Sequence, residues 1–238
     1  MRSIAIKFSP IIALLLLFAC KKESAETLII DPCGIDYATT VHYGAVGDEF
    51  SSGLYIHSDS AWTDQIAEYI ESQGHVVSAY EQIGEYGDLT SALSMHMELE
   101  AEAKCKNLIT LMCGAHDHWS GRTSAEFQTD FAALLIKAIS RTDDPSKVIC
   151  VTLPDYSSTP GLPTSAGSPE EAQAMIEAYN QVIISEAQSR GARIADIYPI
   201  SQSAYQFLYV PEDSLHASAD QHAIWANVIA EQVAEALD

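Results

Sequence analysis

From Val41 onward the chain repeats one arrangement: a short apolar run, then a longer segment whose apolar residues recur at helical spacing. The runs suited to strands are Val41–Val46, His75–Tyr80, Asn107–Cys113, Lys147–Leu153 and Arg193–Ile197. Segments of helical period fill Ala61–Ser72, Thr90–Ala103, Ser124–Ser140, Pro169–Arg190 and Ala219–Leu237. Strands separated by helices pair in parallel, because a tight turn cannot join parallel neighbours. The alternation therefore predicts an α/β fold, a three-layer sandwich with a five-stranded parallel sheet between two layers of helices. With 238 residues, 47% of them hydrophobic, one such core is the expectation, and no internal repeat or second domain is visible.

Local signals sharpen the helix ends. Ser168-Pro169-Glu170-Glu171 combines an N-cap, a proline at the first helical position and a glutamate three residues after the cap, while Gly191 follows the last turn. Thr123 with Glu126 and Ser218 with Gln221 have the same capping-box spacing. The Pro-, Ser- and Gly-rich stretch Pro154–Gly167 follows the fourth strand, at the sheet edge where ligands of open α/β sheets bind. It reads equally as a wall of a substrate cleft or as a plain surface loop.

Residues 1–19 have the layout of an export signal: Arg2 and Lys7, an apolar run from Ile11 to Phe18, then Ala19 before Cys20. The run is too short to span a bilayer. Leu17-Phe18-Ala19-Cys20 resembles a bacterial lipobox, which implies lipidation of Cys20, residues 20–37 as a lipidated tether and residues 38–238 as the folded domain. The alternative is an ordinary secretory signal with an incidental cysteine. Either way the chain is expected to leave the cytoplasm, and as a lipoprotein it would sit on a bacterial membrane, the periplasmic or surface face of the outer membrane.

The chain holds 12 basic and 33 acidic side chains, a formal charge of −21, which disfavours phosphate backbones and anionic lipid surfaces as partners. Nucleic acid is excluded on that ground, and membrane attachment would come from the lipid anchor. In an oxidising compartment Cys33, Cys105, Cys113 and Cys150 allow up to two disulfides, with the pairing open, although Cys113 and Cys150 lie in apolar runs that suit buried thiols. No His-Glu-x-x-His, P-loop or Gly-x-Gly-x-x-Gly is present, so no cofactor is called for.

One constellation carries chemistry. Asp213-Ser214-Leu215-His216 precedes a capped terminal helix, and an aspartate three residues before a histidine can hold one ring nitrogen and leave the other as a general base. Ile224, Val228, Ile229 and Val233 give that helix a core-facing side.

This ending resembles the last motif block of the SGNH/GDSL hydrolase family, whose fold is flavodoxin-like, and the resemblance runs through the rest of the domain. Gly47-Asp48-Glu49-Phe50-Ser51-Ser52-Gly53 is similar to the family's opening Gly-Asp-Ser-x-Thr/Ser-x-Gly except at Glu49; Trp62, Ile66 and Ile70 fit its first helix. Gly84-Glu85-Tyr86-Gly87-Asp88 resembles the segment that gives an amide to the oxyanion, with Gly87 the implied donor. Gly114-Ala115-His116-Asp117 resembles Gly-x-Asn-Asp with histidine in place of asparagine. The resemblance implies hydrolysis of small-molecule, glycan or lipid esters, with Asp213 orienting His216, and Gly87 and His116 stabilising the oxyanion.

Glu49 stands where that chemistry needs serine. A carboxylate attacking an ester would form an anhydride, and its charge would repel a developing oxyanion. Ser51 points roughly 200° away in a helical first turn, and Ser52 lies about 4.5 Å further along the axis. Three functions follow: an ester hydrolase by family, a catalytically silent binding or scaffold lipoprotein, or a metal-dependent site built from Glu49, His116 and His216 with Asp213 behind His216. His118 is a further ligand candidate, expected in an exposed loop. His42, His57, His75 and His96 read as structural or exposed, and Tyr205, Phe207 and Tyr209 as packing or pocket-wall residues.

Overall fold

The computed structural model describes residues 39–99, 105–202 and 208–238. The signal segment, Cys20, the tether, Cys33, the end of the segment read as Thr90–Ala103, and Tyr205 and Phe207 lie outside them.

Five strands form one parallel sheet: β1 (Thr40–Gly47), β2 (Val76–Ile83), β3 (Leu108–Met112), β4 (Val148–Val151) and β5 (Arg193–Ala195). Their order is β2-β1-β3-β4-β5. Strands β3 and β4 are buried at every position, as strands covered on both faces must be. The order reverses at β1, so the crevice beyond the carboxyl ends of β1 and β3 is where such a sheet takes a ligand.

The main helices are α2 (Trp62–Ser72), α3 (Thr90–Leu99 among the described residues), α5 (Ser124–Thr142), α6 (Pro169–Arg190) and α8 (Ala219–Leu237); α1 (Glu49–Ser52), α4 (Ala115–Trp119) and α7 (Tyr198–Ser201) are single turns. Helices α2 and α8 pack together, and α5 lies between α3 and α6. Complete capping boxes start α5 and α6. At α8 only half the box forms: Ser218 accepts from the Gln221 amide, but the Gln221 side chain turns to accept from Leu208 N at 3.0 Å. The inner face of α8 includes Trp225, Ile229 and Val233, while Ile224 and Val228 stay half-buried at its flank. Trp62, Ile66 and Ile70 of α2 are buried opposite.

Cys113 and Cys150 are buried free thiols, and Cys105 is disulfide-bonded to a partner outside the described residues. Next to Cys105, Lys106 is 1% exposed; its stem crosses Gly44 of β1 and its ammonium meets Glu81 of β2 at 2.9 Å. The two members do not depend on the pair equally, because Lys106 is sealed from water whereas the Glu81 side chain stays 20% exposed. Glu81→Ala is expected to cost about 3 kcal/mol, because it strands the ammonium, whereas Lys106→Met, which keeps the stem, should be close to neutral. Urea midpoints of the two variants would show the asymmetry, and equal losses would refute it.

Candidate active site

Local chain geometry delivers each group of the site to the carboxyl edge of the sheet. Strand β1 ends at Gly47, Asp48 caps α1 by accepting from Phe50 N at 3.1 Å, and Glu49 becomes the first helical residue. Strand β2 leads into the turn Glu85–Asp88, closed by Asp88 N donating to Glu85 O at 3.2 Å and by Glu85 N donating to the Asp88 carboxylate at 2.8 Å. Gly87 takes φ +90° there, which costs glycine little, and its amide points at Glu49. Strand β3 ends before Gly114, and α4 carries His116, Asp117 and His118. Asp117, fully buried, accepts from Thr90 N at 2.9 Å and Thr90 Oγ1 at 2.8 Å, tying this loop to the start of α3.

The Asp213–His216 turn is held by its own aspartate. Ser214 has φ +58°, which lets Asp213 Oδ1 accept from Leu215 N and His216 N while Oδ2 accepts from His216 Nδ1. The 154–167 loop braces this turn through Gly161 N, which donates to Ser214 O at 3.0 Å. A Cβ on Gly161 would lie 2.2 Å from Asp213 O, so only glycine permits the approach. Gly161→Ala must push the turn away, at a cost of about 1–3 kcal/mol. A thermal melt should fall by several degrees, and an unchanged melt would show that the loop does not brace the turn.

At the centre, Glu49 Oε1 meets His116 Nε2 at 2.8 Å and His216 Nε2 at 3.4 Å, while Glu49 Oε2 accepts from Gly87 N at 3.4 Å. The Glu49 side chain is 0% exposed. Burial by itself would raise its pKa, but hydrogen bonds from His116 and His216 outweigh that and hold it at about 2. Burial would likewise lower the pKa of His216; hydrogen bonds to Glu49 and Asp213 overcome it and raise the pKa. Asp213 is lowered because its bonds from His216 and the turn amides prevail over its partial desolvation. Asp48, buried beside Glu49, is pushed up first by desolvation and then by the Glu49 charge. Glu49 is thus an anion, and His216 lies between two carboxylates, Asp213 at Nδ1 and Glu49 at Nε2.

All five residues of the sequence-derived site, Glu49, Gly87, His116, Asp213 and His216, therefore meet. Two expectations change. His118 is 5% exposed, not an exposed loop residue: it sits within α4, and its Nδ1 pairs with Tyr156 Oη at 3.0 Å, so burial lowers its pKa and the side chain faces away from Glu49 into the packing. Ser51 is also buried, donating to Met112 O at 3.2 Å, which directs it away from the cleft, whereas Ser52 is exposed. The His116–Glu49 separation is that of a direct hydrogen bond; two ligands of one tetrahedral zinc stand about 3.3 Å apart. Among the described residues no group of three His, Cys, Asp or Glu is disposed to hold a metal ion.

Residues 45–224 match the model of the GDSL-like lipase/acylhydrolase family. The chain belongs to that family. Solved structures similar to it are a lipase/acylhydrolase from Enterococcus faecalis (20% identity, 82% of this chain and 95% of that one, TM-score 0.65), a GDSL-like lipase from Bacteroides thetaiotaomicron (13%, 85% and 91%, 0.61) and an acetyl-xylooligosaccharide esterase from Geobacillus Stearmophilus (14%, 84% and 96%, 0.61). At these identities they show the shared fold. No curated protein matches in sequence.

Aromatic groups to which no sequence motif assigns a role also surround this GDSL-type site. Phe50 packs beneath the His216 ring at 5.3 Å, and Trp119 stands edge-on to His116 at 4.8 Å. Tyr55 and Tyr86 lie at the mouth. Tyr55 follows one matched block and Tyr86 lies inside another, a signal that could have been read; nothing in the sequence marks Gly161.

Proposed function

We propose that this family member is an exported lipoprotein, anchored through Cys20, that binds a glycan-, lipid- or other ester-type ligand over the Glu49 cluster and does not hydrolyse esters through an acyl-serine. The observation that carries this reading is where the Glu49 carboxylate lies. It takes the contacts that a family nucleophile and an oxyanion would share: His216 Nε2, His116 Nε2 and the Gly87 amide. An ester carbonyl entering there would displace a buried anion from the imidazoles and the amide that compensate it, which is costly for a buried charge. Glu49 moreover occupies His216 Nε2, the ring nitrogen that a base would use, since Asp213 holds Nδ1.

Support for the export half comes from the signal layout of residues 1–19 and from Cys20. The support for an ester- or glycan-type ligand is the family itself, together with the esterases among its structural neighbours. Wild-type protein is expected to show background rates with p-nitrophenyl acetate and no covalent labelling by a fluorophosphonate. Rapid turnover with labelling at a serine would overturn the reading and make exposed Ser52 the first suspect. For the anchor, mass spectrometry should find a diacylglyceryl group on Cys20, and Cys20→Ala should move the protein to the soluble fraction.

A further inference from the structure

Two aromatic side chains at the mouth of this site lie outside the buried core. Tyr55 is 55% exposed and Tyr86 65% exposed, while Phe50, Trp62, Tyr43 and Tyr156 are buried. Tyr55 follows α1 with its ring 6.2 Å from that of His216, at 66° to it. Tyr86 precedes Gly87; its ring lies 5.4 Å from His116 at 84° and 6.3 Å from His216. The two tyrosine rings thus come from separate segments, and both lie beside the ring of His216.

The backbone holds both in place. Tyr55 has φ +67°, a conformation that a bulky residue adopts rarely and that clusters at ligand sites. Tyr86 sits in the turn pinned by Asp88, whose carboxylate also meets His96 Nε2 at 3.2 Å. Exposed aromatic rings on restrained backbone lose little entropy when a ligand covers them.

We propose that Tyr55 and Tyr86 form the walls of a slot that takes one uncharged pyranose ring of a glycan. This rests on the reading of the site as a binding cleft and names its ligand class. A pyranose offers a face of C–H groups that an aromatic ring can cover while its rim of hydroxyls stays free to meet water or polar groups, so the ring of each tyrosine, more than its hydroxyl, supplies the match. An acyl chain needs an apolar channel, but inward of the slot lies the Glu49 carboxylate with its imidazoles. An anionic glycan would meet a chain of formal charge −21.

Calorimetric titration of the full chain with xylohexaose, cellohexaose and mannohexaose, beside polygalacturonate and decanoate, tests this. At least one neutral hexaose should bind, with Tyr55→Ala and Tyr86→Ala each weakening it about tenfold or more and Tyr→Phe at either position staying within about threefold. Unchanged melting temperatures would confirm that the exposed rings were removed without harm to the fold. The slot is refuted if no neutral hexaose binds, if the alanine variants bind like wild type, or if polygalacturonate or decanoate binds more tightly. Ester turnover measured on the same preparation separates the two ideas: turnover removes the non-hydrolytic reading and leaves the slot standing, whereas missing binding without turnover removes the slot alone.

Discussion

Glu49→Ser is expected to raise kcat/KM for p-nitrophenyl acetate at least about a hundredfold over wild type, since a complete triad exceeds a disabled one by orders of magnitude. The remaining parts already stand at hydrogen-bonding range of the position concerned. A serine at the start of α1 would leave empty the space that the carboxylate fills, and an ester carbonyl could enter it. Gly87 N and His116 Nε2, now turned to Glu49, would face the carbonyl oxygen. His216 would keep Asp213 and lose its second carboxylate, so its pKa should fall back toward the range of an effective base. Glu49→Gln is the control: it removes the charge, supplies no hydroxyl and should stay at background. If a folded Glu49→Ser protein is as inactive as wild type, the aligned groups are not a dormant esterase site. Adding Asp213→Asn to an active Glu49→Ser protein should abolish the gain, by disturbing the tautomer of His216.

Acid is expected to destabilise the fold well before the carboxylates of the surface are protonated, through His222. This residue, 1% exposed on α8, accepts from Trp62 N at 3.1 Å with its Nδ1 and so caps α2 from across the molecule. Burial, and then the charge of His216, depress its pKa to about 3. A base with a depressed folded pKa binds its proton in the unfolded chain first. Its contribution is complete above pH ~6.5 and declines by up to about 1.4 kcal/mol per pH unit as the pH falls toward 3. His216 has the opposite sign: its pKa is raised, so its contribution is complete below pH ~6.5 and fades as the pH rises through the folded value. Glu49, lowered to about 2, adds its loss only below pH ~4.5. Urea titrations from pH 8 to 4 should therefore show steep acid loss, and His222→Gln, which keeps an acceptor without a titrating ring, should flatten it. A variant as steep as wild type would move the cause away from His222.

The alternation of apolar runs and helical segments was sufficient to specify the architecture, because a parallel strand with both faces covered needs an unbroken apolar stretch and a crossover helix. Capping residues likewise set the ends of α6 and the starts of α5 and α8, since a cap acts within one turn of chain. For the same reason Asp213, three residues from His216, could be paired with it from spacing alone. Block resemblance also indicated which strand ends carry Glu49, Gly87 and His116.

Other features depend on distance between segments, and only packing decides those. His118 and His116 are two positions apart, yet one is sealed against Tyr156 and the other reaches Glu49, because α4 turns them to different sides. The His222 cap joins residues 160 positions apart, and Gly161 is required only because another segment's carbonyl approaches it. Above all, sequence showed a carboxylate where a nucleophile belongs, but not what it does there. The tertiary structure turns both imidazoles and the Gly87 amide onto the buried Glu49, and their hydrogen bonds keep Glu49 an anion that binds the oxyanion donors itself.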